Sequence, residues 1–149
     1  MSILEPQRLA LLYEHDETAW LEAMAALALS QRHAEMDFPH LSEYLSDMAK
    51  RDRREVFSRL VVLLTHLLKI AHQSENQSQS WRGTIREQRR ELHQLLESGT
   101  LRNHAATIFA DCYAEARRQA ADETELSLDV FPIDCRWSLD EAIADRTTP

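Results

Sequence analysis

Two glycines and four prolines in 149 residues leave this chain few places to turn sharply. Glycine and proline are the strongest local punctuators of secondary structure, so their scarcity predicts long helices joined by short connections. The apolar pattern agrees with that expectation. Trp20, Met24, Leu27 and Ala28 recur at helical spacing, with Leu21 and Ala25 widening the stripe. Val56, Leu60, Leu63, Leu64, Leu67 and Ala71 do the same, flanked by Phe57, Val61 and Leu68. That second arc is wide enough for the central helix of a bundle. No segment alternates like a strand, and no internal repeat is visible.

Helix start and stop signals divide the chain further. A short helix is expected after Pro6 within 1–12. Asp16 is a good N-cap for the next helix, with Glu17 in its first turn, and that helix should fade near Gln31. Asp37 and Pro39 mark another start, with Leu41, Tyr44, Leu45 and Met48 along one face of a short helix. A separate central helix is expected over 52–72. A polar loop should follow at 73–80, with Ser80 capping the next helix, whose stripe is Trp81, Ile85, Leu92 and Leu95 or Leu96. Ser98-Gly99-Thr100 ends that helix and caps the next, which runs to about Glu123. Residues 125–137 are too irregular for a helix and should lie across the bundle. Ser138 and Glu141 form a capping box for a last short helix. The expectation is an all-α single domain over 1–149, a bundle of about five or six helices with the irregular C-terminal segment packed across it. The helices over 52–72 and 80–98 should pack antiparallel. The ends, 1–12 and 146–149, are expected to be loosely ordered.

Charge narrows the class of partner. The net charge is −8. Residues 1–49 hold 2 basic and 9 acidic side chains, residues 50–93 hold 10 and 5, and residues 94–149 hold 5 and 11. An acidic chain with a basic middle disfavours general nucleic-acid affinity, which needs a local excess of Lys and Arg. Glu5, Pro6 and Arg8 interrupt what a signal peptide would need as its apolar core. Ser58, Arg59, Thr65, His66 and Lys69 interrupt the most apolar stretch, so no membrane span is expected. Two distant cysteines point to reduced thiols and a cytoplasmic location.

The run SQSWRGTIREQRREL from Ser78 to Leu92 resembles the hallmark of a bacterial family, domain of unknown function twenty-nine. Tyr13 and Asp16 match its Tyr-x-x-Asp, followed by Ala19-Trp20. Asp37 and Leu41, Arg53-Arg54 and Ser58-Arg59-Leu60 also match. So do Leu64 and His66-Leu67-Leu68-Lys69, then Tyr113, Ala116-Arg117, Glu123-Thr124, Phe131-Pro132 and Cys135. His40 stands where the family usually has Asn, and Arg136-Trp137 where it has Pro-Tyr. The resemblance implies an all-helical bundle and no particular activity.

One constellation has chemical potential. Arg82, Arg86, Arg89 and His93 share a helix face at i, i+4, i+7 and i+11, and Arg59, His66 and Lys69 share another. If the faces meet, His66, Lys69, Arg82, Arg86 and Arg89 could bind a phosphate or carboxylate, for which the planar Arg fork is suited. The other reading is internal pairing, with Glu87 and Glu91 on the same helix and Glu43, Asp47, Asp111 and Glu115 elsewhere. Tyr13, Asp16, Trp20, Arg59, Trp81 and Gln88 are read as structural. Gln88 falls in a buried stripe and should anchor a backbone group or Tyr13. Seven His residues are scattered without metal-site spacing, so neither a metal nor another cofactor is expected. Cys112 lies on an apolar stripe, Cys135 in an irregular segment, and no base can be assigned to either.

Two functions remain open at this point. One is a non-catalytic interaction module, binding a protein partner or a second copy of itself. The other is an anion-binding protein, for phosphate, nucleotide or nucleic acid, using the basic two-helix face. A hydrolase with His66 as base is a distant third, because no nucleophile can be named.

Overall fold

The computed structural model describes residues 6–73 and 79–145. They are all-α, with no strand among the described residues. Six helices follow in order: α1 (Pro6–His15), α2 (Glu17–Leu29), α3 (Phe38–His72), α4 (Gln79–Leu95), α5 (Gly99–Thr124) and α6 (Leu139–Ile143). Residues 1–5, most of the expected 73–80 loop and residues 146–149 lie outside the described residues.

The chain divides into two compact units, 1–50 and 51–149, and each has its own cluster of buried side chains. In the first unit the expected cap forms: the Asp16 carboxylate accepts from Ala19 N at 3.1 Å. α2 ends at Leu29, where Ser30 Oγ donates to Ala26 O and Gln31 takes a left-handed backbone with φ 59°. Leu9, Trp20 and Met24 are fully covered there, with Leu12, Tyr13, Leu27, Leu41 and Tyr44 packed around them. Ala25 and Ala28, expected in the stripe, are exposed.

The start predicted at Asp37 and the separate helix predicted at Asp52 are one helix of 35 residues. No Gly or Pro lies between Pro39 and His72, so nothing interrupts the backbone ladder, and Asp52 sits within the helix rather than capping one. Leu45 is exposed, whereas Leu41, Tyr44 and Met48 are partly covered.

In the second unit the predicted arc is the core. Val56, Leu60, Leu63, Leu64 and Leu67 have no exposed surface, and Val61, Leu68 and Ile70 are nearly as buried. A helix covered on so many sides must pack on more than one neighbour. Side-chain contacts fix the directions. Arg59 reaches Gln88 and Glu91, while Lys69 lies over Trp81, so numbers fall along α4 as they rise along α3: the pair is antiparallel, as predicted. Phe57 meets Cys112, Thr65 meets Ala116 and Lys69 meets Glu123, so α5 runs parallel to α3. α4 begins at Gln79, which puts Ser80 inside the helix instead of at its cap. Ser98 caps α5 by accepting from Leu101 N, and Ser138 with Glu141 makes the reciprocal box that starts α6.

The irregular segment is held by its backbone. Arg117 donates Nε to Phe131 O at 2.8 Å and Nη2 to Leu128 O at 3.1 Å, and the Tyr113 hydroxyl donates to Pro132 O. Of its apolar side chains Phe131 and Trp137 are buried. Leu128 and Val130, on a turn of 3-10 helix at Leu128–Val130, and Ile133 beyond it stay exposed.

Candidate functional site

The face predicted on α4 forms, but its members do different work. Arg89 is 2% exposed, and its Nε donates to Ala142 O at 3.0 Å. His93, one turn further on, bonds Ile143 O through Nε2 at 2.9 Å. Both acceptors are carbonyls of the last two residues of α6, at the end where a helix leaves its carbonyls without intrahelical donors. A five-residue helix cannot sustain itself, so side-chain donors from a long neighbour hold its C-terminal end. Burial pulls the Arg89 guanidinium below its ordinary pKa, and Asp145 opposes that shift. The group stays charged at neutral pH.

Arg82 and Arg86 are exposed. With Ile85, Arg89 and Asp145 they line an open cleft of about 500 Å³. Three guanidiniums against one carboxylate give the cleft a positive balance. Arg86 makes no ion pair among the described residues.

His66 and Lys69 do not line this cleft. Lys69 is 7% exposed; its Nζ bonds Glu123 at 2.8 Å and sits 4.6 Å from the Trp81 ring centroid. His66 turns back on its own helix, with Nδ1 2.8 Å from Val62 O. Burial lowers its pKa, and Lys69 adds to the shift. The two predicted basic faces therefore separate. The one on α4 opens to the cleft, and the one on α3 is tied into the second unit.

The residues read as structural have definite partners. Arg59 donates Nε to Glu55 at 2.9 Å and Nη1 to Gln88 Oε1 at 3.2 Å. Gln88 is thus an anchor, but its partner is Arg59 and not Tyr13. Tyr13 instead stacks on His40, centroids 4.4 Å apart, and meets Trp20 edge-on at 4.8 Å.

Sequence reasoning missed the centre of that arrangement. Asp37 Oδ2 accepts from Trp20 Nε1 at 3.1 Å and lies 2.7 Å from His40 Nδ1, while Oδ1 caps His40 N at 3.4 Å. One carboxylate joins α2 to the first turn of α3. The signal was present, since an N-cap Asp followed three residues later by His can pair locally, but Trp20 as the second donor is a tertiary fact.

The thiols offer little. Burial pushes Cys112 up to about 12 and raises Cys135 as well, so neither forms a thiolate near neutrality. Among the described residues no three His, Cys, Asp or Glu side chains form a group that could hold a metal ion. No helix among them is long and apolar enough to cross a membrane.

Searches of curated proteins and of solved structures return no match. A family model described as "Domain of unknown function DUF29" matches residues 12–147, nearly the whole chain. The Tyr13–Trp20 packing, the long α3 and the α4 face described above thus fall within the matched span, and the chain belongs to the DUF29 family.

Proposed function

We propose that this protein is a non-catalytic interaction module that docks a protein chain, another copy of itself or a different one, on the outer face of α2. The observation that carries the reading is the composition of that helix. ETAWLEAMAALAL has only Glu17 and Glu22 as charged residues, and apolar residues occur on every side of it. Helices of that kind are normally covered all round. Here Trp20 and Met24 are buried, while Ala25, Ala26 and Ala28 are exposed and Leu29 is 88% exposed. Phe38 and Leu45, also exposed, add apolar surface on α3 within the same unit. Exposed apolar patches larger than those of ordinary monomers mark contact surfaces.

The test combines sedimentation with site-specific cross-linking. A photo-reactive side chain at position 29 should give one discrete adduct, of doubled mass for self-association or of another mass for a different partner. The same group at Arg118, exposed on α5, should give none. Leu29→Glu should abolish the adduct formed through neighbouring position 26 and leave the helical circular dichroism unchanged. No adduct from either position, together with a strict monomer on sedimentation, would remove the support for this reading.

A further inference from the structure

We infer that the cleft of Arg82, Arg86, Arg89 and Asp145 is a binding site for a small phosphate ester that carries hydroxyl groups. This goes beyond the α2 docking reading and uses a different surface. The argument starts from spacing. Arg82 and Arg89 are seven residues apart on one face of α4, which spreads the guanidiniums over about 10 Å of helix axis. A cleft of about 500 Å³ lies over them, within the usual range of small-molecule sites.

Charge then selects the ligand. Planar guanidiniums recognise phosphate oxygens through paired, charge-assisted hydrogen bonds. Arg89 is fixed by Ala142 O, so one cation of the set is already oriented. Ile85, fully buried between the arginines, gives the floor an apolar element. Asp145 makes the cleft two-ended. A carboxylate repels a phosphate placed against it but accepts hydrogen bonds from hydroxyls. A sugar phosphate satisfies both ends, whereas bare phosphate satisfies only one. A polyanion fits poorly, because the chain as a whole carries −8 and repels it.

The test uses titration calorimetry on the intact protein at constant ionic strength, with ribose 5-phosphate, inorganic phosphate and a single-stranded oligonucleotide as probes. Ribose 5-phosphate should bind saturably and more tightly than inorganic phosphate. Arg86→Ala and Arg82→Ala should each weaken it about tenfold, the loss of one charge-assisted hydrogen bond. Both sites are exposed, so both variants should keep the wild-type circular dichroism. Arg102→Ala, whose partner is Asp140 outside the cleft, should leave binding unchanged. Asp145→Asn should narrow the gap between the two small probes by removing the repulsion. The inference is overturned by any one of three results: no saturation by ribose 5-phosphate at about 10 mM, equal binding in Arg86→Ala, or tighter binding of the oligonucleotide than of the sugar phosphate.

Discussion

Arg89→Ala is the most informative single change, because it separates a structural cation from its exposed neighbours. The side chain is 2% exposed and its Nε donates to Ala142 O at 3.0 Å. Hydrogen bonds to charged groups contribute about 1.5–3 kcal/mol. Truncation also removes two buried methylenes, at about 0.8 kcal/mol each. Against these stands the desolvation of a buried guanidinium, which the variant no longer bears and which offsets part of the loss. The balance is a destabilisation of about 2–4 kcal/mol, with the melting temperature falling by roughly 6–14 °C for a chain of this size. Urea denaturation gives the free energy, and hydrogen exchange locates it. Amides of Ala142 and Ala144, bonded to Ser138 O and Glu141 O, should lose protection before those of α3 do. Arg89→Lys, which keeps the charge but lacks the planar fork, should recover only part of the stability. A change below about 0.5 kcal/mol with α6 still protected would refute the assignment, since that is the range of an ordinary surface substitution.

Other consequences follow from burial and charge. Leu64→Ala, at a fully covered position of α3, should cost about 2–5 kcal/mol in urea denaturation, whereas Leu45→Ala on the same helix should cost less than about 0.5. Burial lowers the pKa of His66 and of His72, with Lys69 and Arg136 adding to the respective shifts. The unfolded chain therefore takes up protons first. Stability should be fully present above the ordinary value of 6.5 and decline as pH falls through the lower native values, and His66→Gln with His72→Gln should flatten that decline. An unchanged slope between pH 5 and 7, measured by urea denaturation, would contradict the two shifts. Cys112, with a pKa near 12 and no exposed surface, should resist iodoacetamide in the native protein and react after unfolding; alkylation at a native rate equal to that of Cys135 would count against it.

Much of this architecture was legible from local chemistry. Asp16, Ser98 and the Ser138–Glu141 pair are caps whose side chains bond backbone three residues away, so sequence alone places them. The α3 arc was legible because its apolar letters repeat with the helical period. What failed was an inference from an absent signal. Asp52 looked like a start, yet nothing between Met48 and Asp52 stops a helix. The face of α2 was illegible for a different reason: Ala25 and Ala28 are as apolar as the residues that are covered, so composition could not say which side meets the core. The basic face shows both limits together. Spacing placed Arg82, Arg86 and Arg89 on one side of α4. It could not show that Arg89 and His93 bond the carbonyls of Ala142 and Ile143, because a backbone acceptor some fifty residues away leaves no mark in the pattern. Nor could it show that Lys69 is turned to Glu123 and Trp81, or that Gln88 belongs to Arg59.

The central claim is a division of labour along α4: Arg89 is part of the fold, and Arg86 is presented to the cleft. Exchange of the arginine Nε protons with water, followed by nitrogen-resolved NMR of the intact protein, tests it directly. The account predicts that the Arg89 Nε proton exchanges slowly, as does that of Arg117 bonded to Phe131 O, while that of Arg86 exchanges at the rate of a solvent-exposed guanidinium. Exchange of Arg89 as fast as Arg86 would contradict it.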